Sequence, residues 1–175
     1  IGVDEAGCGC LFGPVIAAAV CLPLNSRIGI LNDSKLLTAE KREYIFKRFI
    51  ELKIQFTVGM ATAAEIDKLN IRQASILAMK RACDAFSGAT FALVDAWKIP
   101  DLKIGQLGII HGDRLVKSIA AASIVAKVVR DRLMREYGKD FSGYGLAQHK
   151  GYATKIHRNA IKRLGATPLH RRSFL

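Results

Sequence analysis

The sequence predicts an α/β domain followed by a small helical appendage after Gly138. The chain has 175 residues, which is an ordinary size for one domain and enough to bury a core without disulfides. Half of the residues are hydrophobic and 24% are charged, and this balance excludes a disordered chain. Predicted strands alternate with predicted helices, without an internal repeat or a linker-like stretch, and this alternation is typical of an α/β domain.

Hydrophobic patterning predicts five strands. In chain order they cover residues 1–3, 15–24, 54–60, 91–94 and 107–110. The second is rich in Val, Ile and Ala and contains Pro23, which suits a buried strand that ends there. The third alternates apolar and polar residues, as a half-buried strand does. The fourth is a continuous apolar run that ends in Asp95, which indicates a central strand with an acid at its edge.

Helices are predicted between these strands from caps and apolar stripes. They cover residues 39–53, 62–70, 70–86, 119–137 and 154–164. Thr38 is placed to cap the first, and Thr62 with Glu65 has the spacing of a capping box. The fourth has one apolar stripe from Ile119 to Tyr137, and Gly138 is expected to end it.

The charge of the chain indicates an anionic partner. Lys and Arg number 27 against 15 Asp and Glu, a formal net charge of +12. Such a surplus favours nucleic acid first and an anionic membrane second, with a generally basic soluble protein as the alternative. Residues 139–175 hold eight Lys or Arg and one acid, Asp140, so the charge forms a patch that suits phosphate contacts.

Composition also gives an expectation about location. No apolar run reaches the roughly 18 residues of a membrane span, and residues 1–10 lack the basic leader of a signal peptide. The four cysteines, Cys8, Cys10, Cys21 and Cys83, do not have the spacing of a zinc site. We therefore expect a cytoplasmic protein that does not bind membranes.

Four acids stand at or near the ends of predicted strands, where ligand sites gather in α/β sheets. They are Asp4, Glu5, Asp95 and Asp113. If they converge, they repel one another unless cations hold them, and oxygen ligands suit Mg²⁺ or Mn²⁺. Two such ions about 4 Å apart hydrolyse phosphodiesters. Spacing alone favours the alternative that these are ordinary strand-edge carboxylates.

The pair Asp4 and Glu5 poses a geometric question. Adjacent strand residues point to opposite faces. Glu5 must therefore reach round the strand end, or a bulge near residues 6–7 must turn it toward the site of Asp4.

Eight segments along the chain match, in order, the motifs of one nuclease family. They are Gly2-Val3-Asp4-Glu5-Ala6-Gly7, Leu31-Asn32-Asp33-Ser34-Lys35, Leu69-Asn70-Ile71-Arg72-Gln73-Ala74, Val94-Asp95, Gly112-Asp113, residues 118–127, His149-Lys150-Gly151-Tyr152-Ala153-Thr154 and His170-Arg171-Arg172-Ser173-Phe174. In these segments the sequence resembles the type 2 ribonucleases H, the bacterial ribonuclease HII family, over nearly its whole length.

This resemblance implies a fold, an activity and a set of site residues. The fold is ribonuclease H-like, with a mixed sheet flanked by helices; we expect a catalytic domain over residues 1–138 and a basic C-terminal helical extension over residues 139–175. The activity is endonucleolytic cleavage, dependent on two Mg²⁺ or Mn²⁺ ions, of RNA in RNA–DNA hybrids and at ribonucleotides embedded in duplex DNA. The implied metal ligands and catalytic groups are Asp4, Glu5, Asp95 and Asp113.

The resemblance also implies how the ribose is recognised. Backbone groups of the turn Gly7, Cys8 and Gly9 contact the 2′-hydroxyl, and Tyr152 senses the sugar. A 2′-hydroxyl is the main feature that marks a lone ribonucleotide in DNA.

We also expect substrate contacts from basic and polar residues outside the turn. Lys150 is expected to hold a phosphate, together with neighbouring cations of the C-terminal patch. Ser34 and Lys35 either brace the glycine turn or touch the DNA backbone, with a solvated loop as the alternative. We expect the protein to act as a monomer.

The turn departs from the family pattern. The family has Gly-Arg-Gly followed by Pro, whereas this chain has Gly7-Cys8-Gly9 followed by Cys10. Loss of the guanidinium removes a phosphate contact. Two rival functions therefore stay open: a binding module that has lost catalysis, and a sister type of ribonuclease H that requires several consecutive ribonucleotides.

Overall fold

The computed structural model describes residues 1–23 and 37–175, and in these residues five strands form one mixed sheet. The strands are β1 (Gly2–Ala6), β2 (Val15–Cys21), β3 (Gln55–Ala61), β4 (Phe91–Asp95) and β5 (Gly105–Ile109). Their order across the sheet is β3-β2-β1-β4-β5. Strand β1 is antiparallel to β2, and β2 to β3, while β1, β4 and β5 run parallel. The predicted α/β architecture is therefore confirmed.

Seven α-helices and a short 3₁₀ helix are found in the described part of the chain. They are α1 (Ala39–Glu51), α2 (Ala63–Leu69), α3 (Ile71–Asp84), α4 (Gly112–Leu115), α5 (Lys117–Asp140), α6 (Leu146–His149), α7 (Lys155–Leu164) and the 3₁₀ helix Arg172–Phe174. The predicted caps are present: the Thr38 hydroxyl accepts from the amide of Lys41, and Thr62 and Glu65 form a reciprocal capping box.

Strand β2 separates two layers of core because both of its faces are covered. Ile16, Ala18 and Val20 pack with α1 and α5 on one side. Val15, Ala17 and Ala19 pack with α2 and α3 on the other. This two-sided burial is the reason that the predicted strand is a continuous apolar run rather than an alternating one.

A third, smaller core joins the glycine-rich turn to the C-terminal segment. Phe12, Met134, Tyr144, Leu146 and Ala160 form it. The C-terminal residues are thereby packed directly against the chain that follows β1.

The predicted end of α5 at Gly138 is wrong. The helix continues to Asp140, and a Cβ at Gly138 would lie 3.0 Å from the amide nitrogen of Ala147. Gly138 therefore permits the close approach of α6 instead of ending the helix. The division into residues 1–138 and 139–175 remains a proposal, and α5 runs across it.

Other differences concern boundaries and the apolar stripe of α5. Strand β2 ends at Cys21, and β5 begins at Gly105 because its parallel pairing with β4 starts there. The four-residue helices α4 and α6 were not predicted, since glycine-rich loops carry little periodic signal. The fully buried face of α5 includes Arg130 and Met134.

Candidate active site

A cleft of about 510 Å³ opens at the carboxyl ends of β1 and β4. These strands pair in parallel up to Val3 and Val94, so Asp4 and Asp95, the next residues, stand side by side. The cleft is lined by the acids Asp4, Glu5 and Asp95, by residues 6–9 of the glycine turn, and by Arg42, Ser123, Lys127 and Tyr152. The structure thus brings together three of the four predicted acids, the turn and the tyrosine.

Glu5 reaches this cleft without a bulge. The antiparallel register of β1 with β2 is unbroken from Gly2 to Ala6, so β1 contains no bulge within these residues. The Glu5 amide donates to Asp4 Oδ1 over 2.7 Å, and Glu5 Oε1 accepts from the Cys8 thiol at 3.2 Å. The side chain therefore bends round the strand end toward the turn.

Burial and mutual repulsion make the acids costly to ionise. Burial, followed by the charge of Glu5, raises the pKa of Asp4 well above its usual value; a hydrogen bond from Ser123 opposes this, and Asp95 adds to it. Burial is also the main cause that raises the pKa of Glu5, and Asp95 contributes. A cation in the cleft would favour the ionised forms of both groups.

The donor atoms fit a hard divalent cation. Glu5 Oε2 is buried and finds no hydrogen-bond partner among residues 1–23 and 37–175, and a buried carboxylate oxygen in that state is suited to a metal ligand. In the same residues, no three His, Cys, Asp or Glu side chains form a ready metal-binding group. The carboxylate groups of Asp4, Glu5 and Asp95 instead line the wall of the cleft.

Asp113 lies next to this cleft but does not line it. Asp95 Oδ1 accepts from the Gly112 amide at 2.8 Å, and Asp113 follows as a buried residue of α4. His111 precedes α4 in a left-handed conformation with φ of 57°. Asp113 is therefore connected to the acids of the cleft through the hydrogen bond between the Gly112 amide and Asp95.

The glycine turn is shaped by two close contacts. Gly7 has φ of +97°, and a Cβ there would lie 2.0 Å from Arg130 Nε, so only glycine fits. The Cys8 thiol faces inward, 3.3 Å from the Ser75 hydroxyl of α3 as well as near Glu5. Burial and the charge of Glu5 raise the pKa of Cys8 to about 12. This side chain is a protonated hydrogen-bond donor inside the protein.

Tyr152 is part of the wall of the cleft. It is 41% exposed, and its backbone forms a bridge with Cys10. Lys127 Nζ lies 5.3 Å from the centre of the ring and also pairs with Asp131 at 2.8 Å. Burial raises the pKa of Tyr152, so the phenol stays protonated at neutral pH.

The remaining predicted contacts are not brought into the cleft. Lys150 does not line it: its ammonium group donates to the carbonyl oxygen of Ala147. Ser34 and Lys35 lie outside the described residues.

Sequence reasoning missed several residues at the site. Ser123 and Arg42 line the cleft, and Ser75 holds the Cys8 thiol. For Ser123 a signal existed, since it is a polar residue in an otherwise apolar stretch of α5, and buried polar groups need partners. For Ser75 and Arg42 the sequence carries no comparable signal.

The sheet order and the acidic cleft together define a nuclease of the ribonuclease H-like class. The family model described as Ribonuclease HII matches residues 1–175. The chain belongs to the ribonuclease HII family.

Known proteins agree with this placement. Ribonuclease HII of Desulfitobacterium hafniense (strain Y51) is 53% identical over 174 residues, which are 99% of this chain and 67% of that protein. The crystal structure of ribonuclease H2 from Pyrococcus horikoshii OT3 superposes with a TM-score of 0.79 at 25% identity, covering 98% of this chain and 92% of that one. The PCNA:RNase HII complex from Archaeoglobus fulgidus gives a TM-score of 0.83 at 22% identity, covering 99% of this chain and 94% of that chain.

Membership of the family sets the general activity. Ribonucleases HII are hydrolytic nucleases with ribonuclease H activity on RNA–DNA hybrids, and they depend on divalent metal ions. In the described residues, no helix combines the length and the hydrophobicity needed to cross a bilayer.

Proposed function

We propose that this protein is an endonuclease that cuts the RNA strand of RNA–DNA hybrids and the 5′ side of ribonucleotides embedded in duplex DNA. The products are a 3′-hydroxyl and a 5′-phosphate. The observation that carries the proposal is a single cleft that is lined both by Asp4, Glu5 and Asp95 and by the glycine turn and Tyr152. Groups suited to a metal and groups suited to a ribose thus face the same space.

Two divalent ions, Mg²⁺ or Mn²⁺, are the proposed cofactors. Asp4 would contact both, and Glu5, Asp95 and Asp113 would complete the ligand sets; the unpartnered Glu5 Oε2 supports this role. When bound, such ions activate water for in-line attack and stabilise the leaving oxygen of a phosphodiester. The chain itself holds the acids: Ser123 bonds Asp4, and the Gly112 amide bonds Asp95.

The turn and Tyr152 are the proposed readers of the sugar. Main-chain groups of Gly7, Cys8 and Gly9 contact the 2′-hydroxyl, since glycines allow the backbone to approach a ligand closely. The half-exposed ring of Tyr152 stacks on the sugar of the ribonucleotide or hydrogen-bonds to it. Lys127, already within 5.3 Å of that ring, supplies positive charge beside it.

Basic residues of the C-terminal segment hold the backbone of the duplex. Lys155, Arg158 and Lys162 of α7 line one side of a second cleft, of about 540 Å³. We assign phosphate contacts to Lys150, Lys155, Arg158 and Arg163, in keeping with the patch of charge in residues 139–175. The protein would act as a cytoplasmic monomer, with the catalytic domain and the extension divided near residue 138.

One cleavage assay tests the proposal. The substrate is a labelled DNA duplex with one ribonucleotide, and the matched control is the same duplex with deoxyribose at that position. We expect a single cut 5′ to the ribonucleotide in Mg²⁺ or Mn²⁺, lost in EDTA and in Asp95→Asn. Cleavage of the all-DNA control at the same rate would contradict the proposed sugar recognition.

The same assay distinguishes the two rivals. Tight binding without product in either metal indicates a non-catalytic module. Cleavage of a run of ribonucleotides but not of a single one indicates the sister type of ribonuclease H. The presence of Asp4, Glu5 and Asp95 in one cleft favours an active enzyme over the non-catalytic module.

A further inference from the structure

Two arginines are buried beside the glycine turn without a carboxylate partner. Arg130 of α5 and Arg171 of the C-terminal segment are both 0% exposed, and within the described residues each hydrogen-bonds mainly to backbone carbonyl groups. Burying a guanidinium is costly unless its donors are well placed. Both arginines bond to the segment of residues 8–14 that contains the glycine turn. We therefore ask what these bonds do for the turn.

Arg171 joins the two ends of that segment. Its Nε donates to the carbonyl oxygen of Gly13 at 2.9 Å, and its Nη1 donates to that of Cys8 at 2.8 Å. Its backbone amide donates to Leu11 at 2.8 Å. Because the guanidinium is a rigid planar fork, these bonds fix the carbonyl groups of residues 8 and 13 relative to each other.

Arg130 bonds to carbonyl groups near the end of the same segment. It donates to the carbonyl oxygens of Phe12, Pro14 and Lys150 at 3.1, 3.2 and 2.9 Å. Of the two arginines, Arg171 is the one that bonds the carbonyl of Cys8.

The direction of the Cys8 carbonyl group also sets the direction of the Gly9 N–H. The peptide unit between Cys8 and Gly9 is planar and trans, so its N–H points opposite to its C=O. Arg171 draws the C=O into the protein. The Gly9 N–H consequently points away from Arg171, and Gly9 is one of the residues that line the cleft.

We propose that Arg171 is a positioning residue for sugar recognition, which orients the Gly9 amide toward the 2′-hydroxyl by clamping the carbonyl groups of Cys8 and Gly13. The inference rests on the proposed function, in which the turn reads the ribose. Lysine keeps the positive charge but has no fork, so Arg171→Lys loses the clamp while retaining the charge.

The first measurement follows the turn itself and is independent of catalysis. Alkylation of Cys8 by iodoacetamide is timed by peptide mass spectrometry in the folded protein, with the exposed Cys21 as an internal reference. We expect Arg171→Lys and Arg171→Met to accelerate modification of Cys8 by about 10-fold or more relative to Cys21, because a freed turn exposes the thiol. The exposed neighbour supplies the control: Arg172→Met is expected to leave the ratio unchanged.

The second measurement follows the sugar. On duplexes with one ribonucleotide, Arg171→Lys is expected to raise KM by about 10-fold with a smaller change in kcat, since a misdirected amide weakens binding of the sugar more than the chemical step. On a continuous RNA–DNA hybrid, where many riboses are available, the loss is expected to be smaller.

The outcomes separate the inference from the proposed function. Unchanged alkylation of Cys8 in folded Arg171→Lys overturns the clamp. Faster alkylation with unchanged KM supports the clamp and removes the turn from ribose recognition. If both variants fail to fold, exchange of the Arg171 Nε–H in the unaltered protein decides: slow exchange supports the clamp, and exchange at the rate of an exposed arginine overturns it.

Discussion

The Cys8 thiol lies 3.2 Å from Glu5 Oε1 and ties the glycine turn to an acid of the cleft. Where the family has arginine, this chain has a short donor that points inward, with the Ser75 hydroxyl as its second neighbour at 3.3 Å. The turn is thus joined to β1 and to α3 at the same residue. The arrangement leaves position 8 without a cation for the phosphate backbone.

Restoring arginine at this position is expected to strengthen substrate binding. In Cys8→Arg a guanidinium regains a charge-assisted phosphate contact of about 1.5–3 kcal/mol, equivalent to about 10–100-fold in Kd. Fluorescence anisotropy with a duplex containing one ribonucleotide measures this, and sequencing-gel analysis of the products measures the choice of cut site. Cys8→Ser, which keeps the inward donor, is the matched control. An unchanged Kd together with an unchanged cut site in Cys8→Arg would refute the idea.

Removing one buried charge is expected to stabilise the metal-free protein. Burial and the nearby Glu5 raise the pKa of Asp4, so its ionised form weakens the fold at neutral pH, and Asp4→Asn relieves this cost. A gain of 1 kcal/mol corresponds to a rise of about 2–4 °C in Tm for a domain of this size.

Metal is expected to reverse the order of Tm of the two proteins. An Mg²⁺ ion that binds the folded site, as proposed, raises the Tm of the unaltered protein, and the shift is expected to be smaller in Asp4→Asn. Asp84→Asn, which removes an exposed acid paired with Lys80, is the control for a change of charge. Equal Mg²⁺ shifts in all three proteins would show that Asp4 does not hold the ion.

Two buried histidines form a chain of hydrogen bonds whose direction can be deduced. The Thr167 amide donates to His170 Nδ1 at 2.9 Å, so the proton of neutral His170 is on Nε2. That proton is donated to His157 Nε2 at 3.2 Å, and His157 Nδ1 donates to the carbonyl oxygen of Tyr152 at 3.0 Å. Protonation of His157 would put a proton on both facing Nε2 atoms, and protonation of His170 would remove the acceptor of the Thr167 amide, so the chain is complete only while both rings are neutral.

Acid is therefore expected to destabilise the fold through these rings. Burial, with His157 as a second cause, lowers the pKa of His170 to about 4, and burial also lowers the pKa of His157. Unfolded histidine takes up its proton near pH 6.5. Between about pH 6.5 and 4 the unfolded chain binds more protons than the folded one, so stability falls as the pH falls.

Urea unfolding at several pH values in this window measures the effect. The contribution of these two rings to the free energy of unfolding is expected to be constant above about pH 7 and to decrease below it. His170→Gln removes one of the two groups and is expected to flatten the decrease. A slope identical in the variant and the unaltered protein would assign the effect to other groups.

Gly2 is expected to tolerate no side chain. A Cβ there would lie 2.1 Å from the backbone carbon of Ser118, so Gly2→Ala must push β1 away from α5. Such overpacking costs about 1–3 kcal/mol, and thermal unfolding measures the resulting loss in Tm. Gly59→Ala, whose Cβ would lie 2.2 Å from the carbonyl oxygen of Ala78, provides a second test on the other face of the sheet. A Tm unchanged in both variants would contradict these packing distances.

The sequence was sufficient where the deciding contacts are local. The Thr38 cap and the Thr62–Glu65 capping box join residues three positions apart, and both were predicted. Strand ends located from apolar runs made the acids candidates, but spacing alone favoured ordinary strand-edge carboxylates, and the resemblance to the ribonuclease HII motifs was needed to select them.

Contacts between distant parts of the chain were beyond this reasoning. Gly138 resembles a helix stop, yet its role is set by Ala147 of α6. Arg130 has its carbonyl partners more than a hundred positions away at Phe12 and Pro14. Pattern and propensity describe neighbours in sequence, so they do not reveal which distant backbone a buried side chain will satisfy.

The bond between Arg171 and Cys8 spans 163 positions of the chain, and this has a consequence for biosynthesis. A growing polypeptide has all four acids by residue 113, well before Arg171 leaves the ribosome. Until then nothing fixes the carbonyl of Cys8 in its final direction. Discrimination between ribose and deoxyribose would consequently be acquired later than the four carboxylates of the cleft region.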